Sequence, residues 1–204
     1  MIESNKGIPL RQIRAHQSET SLVVYQAYSH QIADAALKAG RFTSPFRLDR
    51  MTWIKPSFLW MAYRSGWGTK PGQERILAIT IIKDGFEWAV ANSCLSHYEQ
   101  PTYPSHTNWQ ARLNTTPVRI QWDPERGLKH EPLSHRSIQV GLSREAIRRY
   151  ARDWTTNIED QTSRFREIET LARTGQSAAA KQLLPNETPY TLTPELASTI
   201  GANI

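Results

Sequence analysis

The stretch 50–68, RMTWIKPSFLWMAYRSGWG, decides how the rest of the chain is read. Residues 51–55 read as a strand, and Pro56 redirects the chain. Ser57 is placed to cap a short helix over residues 58–64, which stops at the SGWG turn. Trp53, Phe58, Trp60 and Met61 are the apolar bulk of this unit and are expected in the core. A core does not call for a lysine beside the strand end or an arginine at the helix end. A serine at a helix start also leaves free amide donors that suit an anion. Lys55, Ser57 and Arg64 are therefore expected to frame a phosphate pocket, the alternative being a solvated surface.

Upstream, residues 11–16 suggest a short strand with Gln12, Arg14 and His16 on one face. Thr20 or Ser21 then caps a helix whose stripe runs through Val24, Tyr28, Ile32, Ala35, Ala36 and Ala39, with Gly40 as its stop. Downstream, residues 76–82 form a continuous apolar run, the pattern of a central strand covered on both sides. Lys83-Asp84-Gly85 signals a hairpin, and Phe86, Trp88 and Val90 alternate in the strand expected after it. Residues 92–116 read mostly as loop. Val118, Ile120 and Trp122 share a strand face, a turn is expected over residues 123–127, and Ile138, Val140 and Leu142 line the next strand. If those two strands pair, Arg119 and Gln121 join Ser137 and Gln139 in a polar floor. After Ser143 the period becomes helical, with Ala146, Ile147, Tyr150 and Trp154 opposite Arg144, Arg148, Arg149 and Arg152. Further helices are expected over residues 163–174 and from Ser177 and Thr193-Pro194. The fold class is α+β: a central, mostly antiparallel sheet with an N-terminal helix and a helical C-terminal segment. One domain is expected over residues 1–204, with a loose leader (1–9), a sheet core (10–142) and a helical segment (143–204).

Hydrophobic residues make up 39% of the chain and charged residues 22%, which argues against a disordered, collagen-like or coiled-coil chain. No run is long and apolar enough for a membrane span, and the first residues lack the apolar core of a secretory signal, so a cytoplasmic protein is expected. One cysteine, Cys94, excludes an internal disulfide and a thiolate-rich zinc site. No glycine-rich phosphate loop, HExxH or GxSxG occurs, and no metal is expected. Lys and Arg outnumber Asp and Glu by 25 to 19. Seven cations between Arg41 and Arg75 face only Asp49 and Glu74, and nine between Arg112 and Arg152 face four carboxylates. That balance favours a phosphate-bearing small molecule or a nucleic acid as partner.

The blocks RQIRA, VYQAY, RMTWIKPSFLWMAYRSGWG, QERILAI, GFEWA, PVRIQWDPER, RSIQVGL and LLPNETPY together resemble the family known as domain of unknown function 4291, over almost the full length. At fold level, the order of a strand with Arg14, a helix ending in Gly40 and a strand–serine–helix unit with Tyr63 is similar to the split sheet of ADP-ribosyltransferases. That resemblance implies a pocket for NAD or another nucleotide formed by Arg14, Ser57 and Tyr63. The late catalytic glutamate of those enzymes has no clear counterpart, Gln139 and Glu145 being nearest, so the chain looks more like the RNA 2′-phosphotransferase branch. The expected function is a nucleotide-binding transferase acting on a nucleic acid or nucleotide. Arg14, Lys55, Arg64 and Arg136 would neutralise phosphates, Ser57 and Tyr63 would position the sugar or base, and Gln139 or Glu145 would orient the nucleophile. The alternative is a non-enzymatic RNA- or DNA-binding module using Arg119, Arg144, Arg148, Arg149 and Arg152 on the backbone and aromatic rings on the bases.

Overall fold

The structure, a computed structural model, describes residues 7–203; residues 1–6 of the expected leader lie outside them. The order is β1 (Arg14–Ala15), β2 (Ser21–Tyr28), α1 (His30–Ala39), β3 (Thr52–Ile54), α2 (Phe58–Ser65), β4 (Arg75–Ile82), α3 (Lys83–Ala91), β5 (Ser93–Leu95), α4 (His106–Thr115), β6 (Val118–Arg126) and β7 (Pro132–Leu142). Then follow α5 (Arg144–Arg149), a π-helical turn (Tyr150–Trp154), β8 (Thr155–Asp160), α6 (Thr162–Arg173), α7 (Ser177–Gln182), β9 (Thr188–Pro189) and α8 (Pro194–Ile200). The fold is α+β, and its sheets are mostly antiparallel.

One sheet has the order β2–β4–β8, and β4 is the central strand its apolar run predicts. Leu77, Ile79 and Ile81 face a core shared with α1, α3 and α5, while Ile76 and Ala78 face Phe58, Met61, Phe165 and Ile168 of α2 and α6. The Phe58 and Phe165 rings stack there at 3.7 Å between centroids. The second sheet has the order β3–β7–β6–β5, and a two-stranded β1–β9 ribbon stands apart. Among the described residues the two larger sheets meet at one bridge, where the Tyr25 N–H donates to the Lys55 carbonyl at 2.7 Å. Past it the ladder stops and side chains span the gap. Gln26 Nε2 donates to Thr52 Oγ1 at 2.7 Å and to the Trp53 carbonyl at 3.2 Å, while its Oε1 accepts from the buried Tyr150 hydroxyl.

Several expectations are corrected. Residues 21–28 are a strand, not the first turns of a helix. Val24 and Tyr28 are four residues apart, which puts them on one face of either element, and the β-branched pair Val23-Val24 favours the pleat. The helix starts after Ser29 and buries Ala33 and Ala36. Residues 83–91 are α3, not a hairpin and strand; Gly85, Phe86, Ala89 and Val90 form its buried face. Gly85 is there because a Cβ would lie 2.4 Å from Trp154 Cγ. The stretch read as loop holds β5 and α4, and α4 is the crossover that a parallel β5–β6 pair requires. Pro124 lies within β6 at a register irregularity, and the chain turns later, where the Gly127 N–H donates to the Glu131 carbonyl. The segment after Leu142 also contains β8 and β9. β8 is a polar edge strand burying only Ile158, so it carries little apolar signal.

Among the described residues no helix is long and apolar enough to cross a membrane. No group of three or more His, Cys, Asp or Glu side chains among them is placed to hold a metal ion. Gly85→Val is expected to destabilise the fold by about 1–3 kcal/mol through overpacking against Trp154. Urea unfolding monitored by tryptophan fluorescence checks this, and an unchanged midpoint would refute the contact.

Candidate functional site

Where β2 and β3 part they leave a cavity of about 620 Å3. β2 supplies Gln26 and Tyr28, the approach to β3 supplies Arg50, β3 and its end supply Trp53 and Lys55, and α2 supplies Arg64. The floor is Gln121 of β6 and Gln139 of β7, which stand opposite each other in register. Arg47 joins from the preceding loop. Four lining side chains are thus cationic, and none among the described lining residues is a carboxylate.

The four cations are not equally committed. Arg47 is ion-paired with exposed Asp49 at 2.6 Å. Arg64 reaches only Gln73 Oε1, at 3.4 Å, and Arg50 has no hydrogen-bond or ion-pair partner among the described residues. Most N–H donors of Arg50 and Arg64 therefore remain for a ligand. Lys55 is only 6% exposed, and its Nζ donates to the Trp53 carbonyl at 3.2 Å. Burial pulls its ammonium down to about 7, the Arg64 charge pulls the same way, and Asp123 opposes them. Gln139 Nε2 donates to Asp123 Oδ2 and, at 3.5 Å, to Gln121 Oε1, which fixes the floor amides.

The local sequence explains why these groups converge. Ser57 Oγ accepts from the Trp60 N–H at 3.0 Å, so α2 begins three residues after Lys55 and runs with Arg64 in its last turn.

Of the residues expected in one pocket, Lys55, Arg64 and Gln139 come together. Arg14, Ser57, Tyr63, Arg136 and Glu145 do not line this cavity. The Ser57 hydroxyl is buried and occupied as the α2 cap, so it is not free to position a sugar or base. Arg14 donates to the Glu187 carbonyl at 2.8 Å, and the Glu187 carboxyl accepts from the Phe58 N–H at 2.7 Å. Tyr63 lies beneath Arg126 at 3.8 Å. Arg136 holds the Trp122 carbonyl and lines a smaller cavity of about 250 Å3 with Asp123 and His97. Glu145 is exposed because α5 turns Ala146 and Ile147 inward.

The expected backbone-binding arginines also divide. Arg119 is spent on the carbonyls of Leu113, Thr116 and Val118, and Arg144 on those of Asn114 and Thr115. Arg148, Arg149 and Arg152 are exposed, with Arg149 over Trp88 at 4.6 Å. The site residues that sequence reasoning missed are Arg47, Arg50, Gln26 and, as a cavity group, Gln121. The cation-rich run 41–75 was the available signal for the two arginines.

The model of the family described as "Domain of unknown function (DUF4291)" matches residues 12–190. No curated protein matches the chain.

Glu187 provides a check on the packing around α2. Burial raises its carboxyl to about 8; Glu125 adds to this, while the Phe58 N–H and Arg14 oppose it. A raised folded value means stability that is complete below the unfolded value and is lost as pH rises through the folded one. Glu187→Gln keeps the neutral form. The variant is therefore expected to gain on the natural protein, by a few kcal/mol at most, as pH rises from about 5 to about 8. Chemical unfolding at a series of pH values checks this, and parallel curves would contradict it.

Proposed function

For this chain, which belongs to the DUF4291 family, we propose a cytoplasmic nucleotide-binding transferase acting on a nucleotide or nucleic acid. The carrying observation is the cavity where the sheets part, lined by Arg47, Arg50, Lys55 and Arg64 with no lining carboxylate among the described residues. Arg50 and Arg64 neutralise phosphates, each charged hydrogen bond being worth about 1.5–3 kcal/mol. Trp53 and Tyr28 flank the planar part of the ligand, and the amides of Gln121 and Gln139 meet its polar edge. Lys55, poised near neutrality, takes the proton of the attacking hydroxyl as the new bond forms. The bond to the leaving group breaks with its charge held by the arginines.

Two sheets joined at a single bridge support the likeness to ADP-ribosyltransferases, and NAD therefore stands among the ligands. An arginine-lined cavity without a glutamate supports the RNA 2′-phosphotransferase-like branch over the NAD-transferring one. A second reading, a nucleic-acid-binding module, draws on exposed Arg148 and Arg152 beside the Arg149–Trp88 stack.

Thermal shift with NAD, ATP, GTP, a short RNA and a short DNA, at low and moderate salt, separates the readings. One nucleotide is expected to raise Tm at both salt levels. Arg64→Ala is expected to weaken that binding about tenfold or more, and Arg148→Ala to leave it unchanged. A rise with RNA or DNA alone, lost in salt and in Arg148→Ala, would replace this proposal with the binding module.

A further inference from the structure

A buried amine at the wall of the cavity can do more than accept a proton, because the same lone pair is a nucleophile. A lysine kept for structure either snorkels to water or pairs with a carboxylate. Lys55 does neither: it is buried, it lines the cavity, and no carboxylate lies within ion-pair distance of it among the described residues. Among the described residues its one hydrogen bond is to the Trp53 carbonyl, so two of its three donor directions are unspent there. The charged groups around it are Arg64 from α2, Arg50 and the Asp49-paired Arg47 from the loop before β3, and Asp123 from β6, itself engaged by Gln139. Burial first and the Arg64 charge second disfavour an ammonium at Lys55, with Asp123 opposing them, and the unpaired arginines of the wall attract an anionic ligand.

We propose that Lys55 is a nucleophilic amine that forms an imine with a phosphate-bearing aldehyde or ketone bound in the cleft between the sheets. The Nζ lone pair attacks the carbonyl carbon and a C–N bond forms. The carbonyl π electrons move to oxygen, protons pass from nitrogen to that oxygen, and water leaves. No oxidant or reductant is consumed. The phosphate half of the proposal rests on the reading of the cleft as an anion site, while the amine half stands on Lys55 alone.

At pH 7 a lysine with the ordinary value holds on the order of a thousandth or less of its amine free, whereas a group titrating at about 7 holds half. The test is pyridoxal phosphate followed by borohydride reduction at pH 7, with peptide mapping over the seven lysines of the full chain. Lys55 is expected to be labelled at least tenfold faster than any other lysine. Pyridoxal, which lacks the phosphate, is expected to label it at least tenfold more slowly, and Arg64→Ala to reduce that preference. Label on surface lysines with Lys55 unmodified would overturn the proposal. Equal labelling of Lys55 by both aldehydes would overturn its phosphate half and the anion-site reading with it, leaving only a reactive amine.

Discussion

The hydrogen bond from the Tyr25 N–H to the Lys55 carbonyl is the constraint on which the site depends. It ties the middle of β2 to the end of β3, and the next residue, Pro56, has no N–H with which to extend the pairing. Ser57 then starts α2 at once, so the chain leaves the sheet immediately after the bridge. Backbone pairing on one side and helix initiation on the other leave the Lys55 side chain in the gap between the sheets. Gln26 keeps that gap a cleft of fixed width, since both ends of its amide are tied, one to β3 and the other to Tyr150.

Burying Lys55 is costly. A lysine whose folded value lies below its unfolded one destabilises the fold fully at pH below the folded value, and the cost is relieved as pH rises from about 7 toward 10.5. At neutral pH the penalty is on the order of a few kcal/mol, a large share of the stability of an ordinary domain. An apolar residue at position 55 would avoid it. A buried charge without a carboxylate partner, at the wall of an open cavity, therefore counts as evidence of use.

Much of this arrangement was legible in the sequence wherever the signals were local. The strand, proline, serine cap and helix of residues 52–65 follow from chemistry within a few positions of one another. The period-two alternation of β6 and β7 put Gln121 and Gln139 on the polar faces of their strands, and the register that sets them opposite each other comes from the pairing itself. What was missed depends on distant contacts. Gly85 reads as a turn former until Trp154 is seen against it, and residues 155–160 read as nothing in particular until β4 offers them an edge. Arg47 and Arg50 reach the cleft only because the loop carrying them folds over it. Arg14 and the start of α2, grouped with the pocket on fold likeness, instead meet around Glu187, outside the cavity lining.

Lys55 is a low-affinity proton site inside the cleft proposed to bind anions. Carbon-13 NMR of its ε-carbon, assigned through Lys55→Arg and followed across pH with and without inorganic pyrophosphate, measures this directly. The expected midpoint is about 7 in the free protein, moving upward when the anion binds because negative charge favours the ammonium. A midpoint at the ordinary lysine value of 10.5, unmoved by pyrophosphate, would contradict both the burial and the site.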